Sequence, residues 1–300
     1  MDRPGASFAI PFAVCCLGVA LFSVMDAAMK GLSLSIGLYN ALFWRAVAGS
    51  ILGLVLMLLF RQRWPNRSVL CIHLLRGTVV AAMAALFFWS LMRLPLAEAI
   101  ALSFIAPLIA LFLAALLLKE KVGRQAVLAS ILGLAGVAVI LSGKLRGDYA
   151  ADALLGVAAV LASAVLFAWN LIIQRQQAQV ASPIEVAFFQ HLVMLGVFSI
   201  GAPLWLVAPP VKAAPLVILA ACLAFTSLTA LAWAYARAEA QRLIPVEYTA
   251  FIWASVIGWL AFAERVTTTT VAGAVLIVAG CLIAARGKRA DIAHVEPGAA

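Results

Sequence analysis

Asp26, Arg45, Glu98, His191 and Glu247 are ionisable residues set in or at the edge of long apolar runs. A charge at the centre of a bilayer costs about 2.5–3.5 kcal/mol on insertion scales, so each such group needs a partner, water or a cavity. Asp26 is a candidate for a coupling proton or for a substrate ammonium. Its structural alternative is an ion pair with Lys30, four residues on and on the same helix face. Arg45 lies about eight residues, or ~12 Å of helix rise, into its run. There a guanidinium can hold a carboxylate bidentately, bind a neighbouring helix, or extend outward along its stem. His191 reads first as a packing histidine and second as a proton relay. His73 and Arg76, near the start of the third run, are expected to reach the interface. Glu98 and Glu247 open apolar runs, where the helix dipole favours a carboxylate. Glu98 reads first as a cap, whereas Glu247, about one turn further in and beside Tyr248, is balanced between a cap and a substrate or proton site.

Trp169, Asn170, Trp253 and Ser255 add large rings and neutral hydrogen-bonding groups. Singly they read as packing or interface residues; together they suit a site that surrounds an apolar side chain while meeting a zwitterion. Phe87, Phe88, Trp89 and Ser103 extend that set. Pro107 and Pro245 interrupt otherwise regular helices, either as bends that move or as static kinks. The spacing of Gly133 with Gly136, and of Gly273 with Gly280, predicts close helix packing. No catalytic constellation is legible: His-Glu-x-x-His, Gly-x-Ser-x-Gly, an Asp-rich diphosphate motif and paired metal-ligand spacing are all missing from the sequence. Catalytic residues, metal ligands and cofactors are therefore not expected. Cys15, Cys16, Cys71, Cys222 and Cys281 read as small hydrophobes.

The elements that must position these groups follow from composition. The 300 residues are 66% hydrophobic and only 11% charged, against roughly 25% charged in soluble domains. Apolar runs near 8–30, 37–60, 69–92, 96–118, 124–143, 153–174, 184–207, 213–236, 241–262 and 268–287 predict an all-α integral membrane protein of ten transmembrane helices. The first run is long and lacks a small-residue cleavage site, so it reads as an uncleaved span. The net charge of +9 is scattered between the runs, which excludes a nucleic-acid surface and leaves an orientation signal. Alternate joints carry thirteen Lys and Arg on one side and six on the other, which places both termini in the cytoplasm. Trp64 and Trp205 fall near span ends, at headgroup level.

An internal repeat organises the runs. Residues 120–144 laid over 264–288 give eight identities in 25 positions, among them Glu120/Glu264, Gly136/Gly280 and Lys144/Lys288. The same offset of 144 pairs Trp89 with Trp233 and Arg93 with Arg237. An offset of 146 puts Arg45 opposite His191, and an offset of 140 puts Lys30 over Asn170. Each copy holds five spans, an odd number, so the second enters the membrane upside down and the two form inverted repeats. The expected units are 8–143, 153–287 and a cytoplasmic tail, 288–300.

These residues resemble the drug/metabolite transporter superfamily with EamA-type repeats. The resemblance is carried by Leu94-Pro95-Leu96-Ala97-Glu98-Ala99 through Pro107 to Lys119-Glu120-Lys121, then Gly133 and Gly136. In the second half it is carried by Pro245-Val246-Glu247-Tyr248-Thr249 through Glu264-Arg265 to Gly273 and Gly280. Within the superfamily the chain is similar to the YddG-type exporters of aromatic and other amino acids. That resemblance implies a secondary exporter in a bacterial inner membrane, acting by alternating access as a monomer or weak dimer, with protons as an open coupling partner. A multidrug, aromatic-cation or nucleotide-sugar carrier of the superfamily is the alternative, and an intramembrane enzyme or a lipid-binding scaffold stands further off.

Overall fold

In hydrocarbon every backbone amide must be satisfied within its own segment, so apolar runs joined by short links form helices. The computed structural model describes residues 6–118, 124–143, 150–177, 179–235, 237, 243 and 246–287. All regular structure among them is helical. Glu120, Lys144, Pro245 and the tail 288–300 lie outside the described residues. In chain order the helices are α1 (Ala6–Ile36), α2 (Leu38–Leu59), α3 (Arg67–Leu91), α4 (Leu96–Ser103), α5 (Ala106–Leu118) and α6 (Arg124–Ser142). They continue with α7 (Ala150–Gln177), α8 (Pro183–Ser199), the single turn α9 (Ala202–Trp205), α10 (Ala214–Tyr235), α11 (Ala250–Phe262) and α12 (Thr268–Gly287). The stretches Ala9–Ile36, Leu38–Leu59, Arg67–Leu91, Ala151–Gln174 and Val211–Tyr235 are long and apolar enough to cross a bilayer; the other apolar helices are shorter. Leu58, Leu134 and Leu260 are among many large apolar side chains left mostly exposed. That surface suits lipid, and the chain is a multi-pass membrane protein.

Local sequence explains the boundaries. Gly37 separates α1 from α2 at φ 82, a backbone state that a side chain disfavours. Asn66 caps α3 by accepting from the Val69 amide at 2.9 Å. Ser182 accepts from the Glu185 amide at 3.3 Å, with Pro183 opening α8. Three runs depart from single unbroken spans. The run 96–118 breaks at Phe104-Ile105 into α4 and α5, just before Pro107, which cannot donate to the preceding turn. The run 184–207 stops at Ser199, and beyond α9 the chain is irregular through Pro209-Pro210. The run 241–262 turns at Tyr248-Thr249 before α11 begins. The two turns lie 144 residues apart, and their rings meet: Phe104 and Tyr248 pack edge to face at 5.2 Å. The thiol of Cys281 donates to the carbonyl of Phe104, 3.2 Å away, occupying an acceptor freed by the break.

The principal packing pairs are α1 with α10, α3 with α7, α2 with α8, and α6 with α12. Contacts recur across the halves. Ser227 Oγ donates to the Gly18 carbonyl at 2.7 Å between α10 and α1. Ser163 Oγ donates to the Met83 carbonyl at 2.9 Å between α7 and α3. A Cβ on Gly136 would stand 2.6 Å from the Gly273 carbonyl, and one on Gly280 would stand 2.6 Å from that of Ala129. The glycines of α6 and α12 thus allow the close approach expected of them. Arg93 stacks on Trp89 at 3.4 Å and Arg237 on Trp233 at 4.2 Å, each closing the end of its helix.

Candidate functional site

Two opposite charges are buried together in the interior. Asp26 of α1 is 3% exposed and Arg45 of α2 is 6% exposed, and each lies within electrostatic reach of the other. Arg45 Nη1 stands 3.9 Å from the sulfur of Met25, and its guanidinium lies over the Phe88 ring of α3 at 5.5 Å. Among the described residues, Asp26 Oδ1 and Arg45 Nε have no hydrogen-bond partner. His191 of α8 completes the group. A Cβ on Gly49 would fall 1.6 Å from His191 Cδ2, so the imidazole packs directly against α2 where only glycine leaves room. Gly49 is one turn beyond Arg45, which puts ring and guanidinium on one face of α2. Both ring nitrogens of His191 are also unpartnered among the described residues, at 1% exposure. Each orphaned buried polar atom costs about 1–3 kcal/mol, a cost the fold carries at this cluster.

The pairing of Asp26 with Lys30 does not form. Lys30 Nζ donates instead to the Leu94 carbonyl at 2.7 Å and makes a close ion pair with Glu264 Oε1. Glu264 Oε2 accepts from the Leu96 amide at 2.8 Å, capping α4. Thr270 Oγ1 donates to Glu98 Oε1 at 3.4 Å in the same neighbourhood. Glu98 sits in the first turn of α4, as its cap reading predicts. Gly258 makes room for this knot, since a Cβ there would come 2.8 Å from Glu264 Oε2. The knot joins α1, the entry to α4 and the exit of α11. An i, i+4 spacing makes two groups neighbours, but it cannot stop one of them from turning to a better-placed carboxylate on another helix.

His73 and Arg76 are buried at 1% and 4% rather than reaching the interface. Gln177 Nε2 donates to His73 Nδ1 at 2.7 Å, which leaves the proton on Nε2 to meet Glu185 Oε1 at 2.9 Å. Arg76 donates to Asn170 Oδ1 at 2.9 Å, to Gln177 Oε1 at 2.6 Å and to Gln174 Oε1 at 3.4 Å. Amide oxygens on α7 occupy the guanidinium, so it has no need to reach for water. This network ties α3 to α7 and α8. Asn170 belongs to it and not to the Asp26–Arg45 cluster.

The remaining predicted site residues divide. Phe87 packs edge to face on Phe88 at 5.4 Å, beside the cluster. Trp89 is taken by Arg93. Ser103 Oγ donates to the Ala99 carbonyl at 2.9 Å, at the break after α4. Trp169 and Trp253 are 51% and 41% exposed. Glu247 is exposed and accepts a close hydrogen bond from the Tyr235 hydroxyl. Tyr248, with Phe251 and Ala274, lines an apolar groove of ≈ 320 Å³ on the surface between α11 and α12. No group of three or more potential metal ligands occurs among the described residues.

The apolar helices thus enclose a buried pair of opposite charges. The pattern of the EamA-like transporter family matches residues 9–142 and 154–286, and the chain belongs to that family. It is 26% identical over 275 residues to the pseudopaline exporter CntI of Pseudomonas aeruginosa, covering 89% of this chain and 93% of that protein. It is 26% identical over 249 residues to a riboflavin transporter of Brucella anthropi, covering 80% and 85%. It is 24% identical over 267 residues to an S-adenosylmethionine uptake transporter of Rickettsia prowazekii, covering 89% of each. A crystal structure superimposes with a TM-score of 0.62 over 96% of this chain and 100% of that one, at 20% identity, which shows a shared fold.

Proposed function

We propose that this transporter exports amino acids, aromatic and other, across a bacterial inner membrane, with Asp26 meeting the substrate ammonium and Arg45 its carboxylate. The observation that carries the reading is the burial of these two opposite charges within electrostatic reach of each other, each with an unpartnered polar atom. A zwitterion satisfies both at once, and Phe87 and Phe88 offer an apolar wall for its side chain. S-adenosylmethionine, named for one relative, also bears an α-amino carboxylate. Riboflavin, named for another, favours a second reading as a carrier of larger flat amphiphiles, alongside multidrug, aromatic-cation or nucleotide-sugar transport. A catalytic role is no part of the proposal.

In this reading the units 8–143 and 153–287 are inverted repeats of five spans, ten in all, with both termini and the tail 288–300 in the cytoplasm. The exchange of packing partners between α1–α10 and α3–α7 supports it. The Lys30–Glu264 knot closes the outer end and the His73–Arg76 network the inner end, and the two part in alternation. A proton on Asp26 is the candidate coupling ion, and the working unit is a monomer or weak dimer. The test is saturable flux of labelled amino acids into proteoliposomes holding only this protein. Flux of some amino acids, lost in Asp26→Asn and Arg45→Gln, is the expected result; no flux of any, in folded protein, overturns the reading.

A further inference from the structure

The imidazole of His191 is the one member of the buried cluster that the reading above leaves without a task. It is contributed by α8, the packing partner of α2, and stands one turn along α2 from Arg45. Packing alone explains its place poorly. A ring held only for its volume exposes no reason to bury two nitrogens without partners, and a leucine or methionine would fill the same space without the desolvation of polar atoms. The glycine beneath it is also specific: any side chain at position 49 would collide with the ring.

We propose that His191 is a second ligand for the substrate's carboxylate, so that Arg45 on α2 and His191 on α8 grip the same acidic group from two helices. The inference rests on the assignment of Arg45 to a carboxylate. A neutral imidazole carries one N–H donor and one bare acceptor. The donor meets the carboxylate oxygen that the guanidinium leaves free. Arg45 and His191 are also repeat counterparts, at an offset of 146, so the acid group is held where the two halves meet. The consequence is selectivity. Compounds bearing a carboxylate use His191, and their decarboxylated amines do not.

The experiment measures uptake of labelled L-phenylalanine into proteoliposomes, with unlabelled 3-phenylpropionate and phenethylamine as competitors, for wild type, His191→Gln and His191→Leu. His191→Leu should weaken competition by the acid about tenfold or more, the loss expected of one hydrogen bond to a charged group. Competition by the amine should stay within about threefold, and His191→Gln, which retains a donor, should stay near wild type. Gly49→Ala, which displaces the ring without deleting it, should reproduce the selective loss and decides the matter if His191→Leu does not fold. Equal weakening of acid and amine, or no weakening of the acid, overturns this inference while leaving the transport reading intact. Absence of phenylalanine flux together with absence of flux for every other amino acid overturns both.

Discussion

Replacing Glu264 by alanine should destabilise the protein far more than removing any exposed acidic partner. Lys30 and Glu264 side chains are 6% and 17% exposed, and breaking a buried pair by deleting one partner costs about 3–5 kcal/mol. The same substitution removes the acceptor for the Leu96 amide, worth about 1 kcal/mol. Lys30 would keep the Leu94 carbonyl and the Phe262 ring but lose its direct ion pair. Arg93–Asp152 supplies the control, since the Asp152 side chain is 59% exposed and such pairs contribute about 0–1 kcal/mol. Equilibrium unfolding by SDS in mixed micelles gives the comparison, with Lys30→Met, Glu264→Ala and the double variant forming a cycle. Glu264→Ala should fall well below Asp152→Ala in stability. The double variant should recover part of the loss, because the Lys30 ammonium is then no longer buried without its direct counter-charge. The reasoning is refuted if Glu264→Ala costs no more than Asp152→Ala, or if the two single losses simply add.

Gly136→Ala should cost about 1–3 kcal/mol by overpacking, because its Cβ meets the Gly273 carbonyl; Gly196→Ala, which meets nothing within 4 Å, should be neutral or slightly stabilising in the same unfolding assay. Arg76→Leu leaves three amide oxygens on α7 without their donor and should cost about 2–4 kcal/mol, whereas a loss under about 1 kcal/mol would show the network to be solvated. In a flux assay with a pH step, Asp26→Asn should abolish transport or its pH dependence, while Glu247→Gln, at an exposed position bonded to Tyr235, should keep both; the reverse order would move the coupling site to Glu247, ahead of α11. Impermeant maleimide applied to intact cells should label Lys212→Cys and spare Gln62→Cys in a cysteine-free background; equal labelling would contradict the assigned orientation.

The helices were legible because apolar composition leaves a membrane chain few alternatives, and the repeat was legible in paired Gly, Glu, Trp and Arg residues. Its cation–π pairs, Trp89 with Arg93 and Trp233 with Arg237, formed as their matched spacing allows. Asp26 and Arg45 were legible as costs that demand partners. The identity of those partners was not. Lys30 and Glu264 are separated by 234 residues, and His73 finds Glu185 across 112, distances over which local spacing carries no information. Tryptophans 169 and 253 were ambiguous for another reason: a ring in a membrane helix gains equally from facing lipid or a cavity, and position along the helix does not say which. His191 carried one usable signal, its offset to Arg45, and the glycine at position 49 that accepts its ring was unreadable without the α2–α8 contact.

The most direct test of the central claim is efflux of preloaded labelled amino acids from proteoliposomes, run on wild type and on the Asp26→Asn and Arg45→Gln variants, each shown to be folded. The account predicts saturable, protein-dependent efflux that both variants lose. Undiminished efflux in both variants would contradict it, as would folded wild-type protein that moves no amino acid.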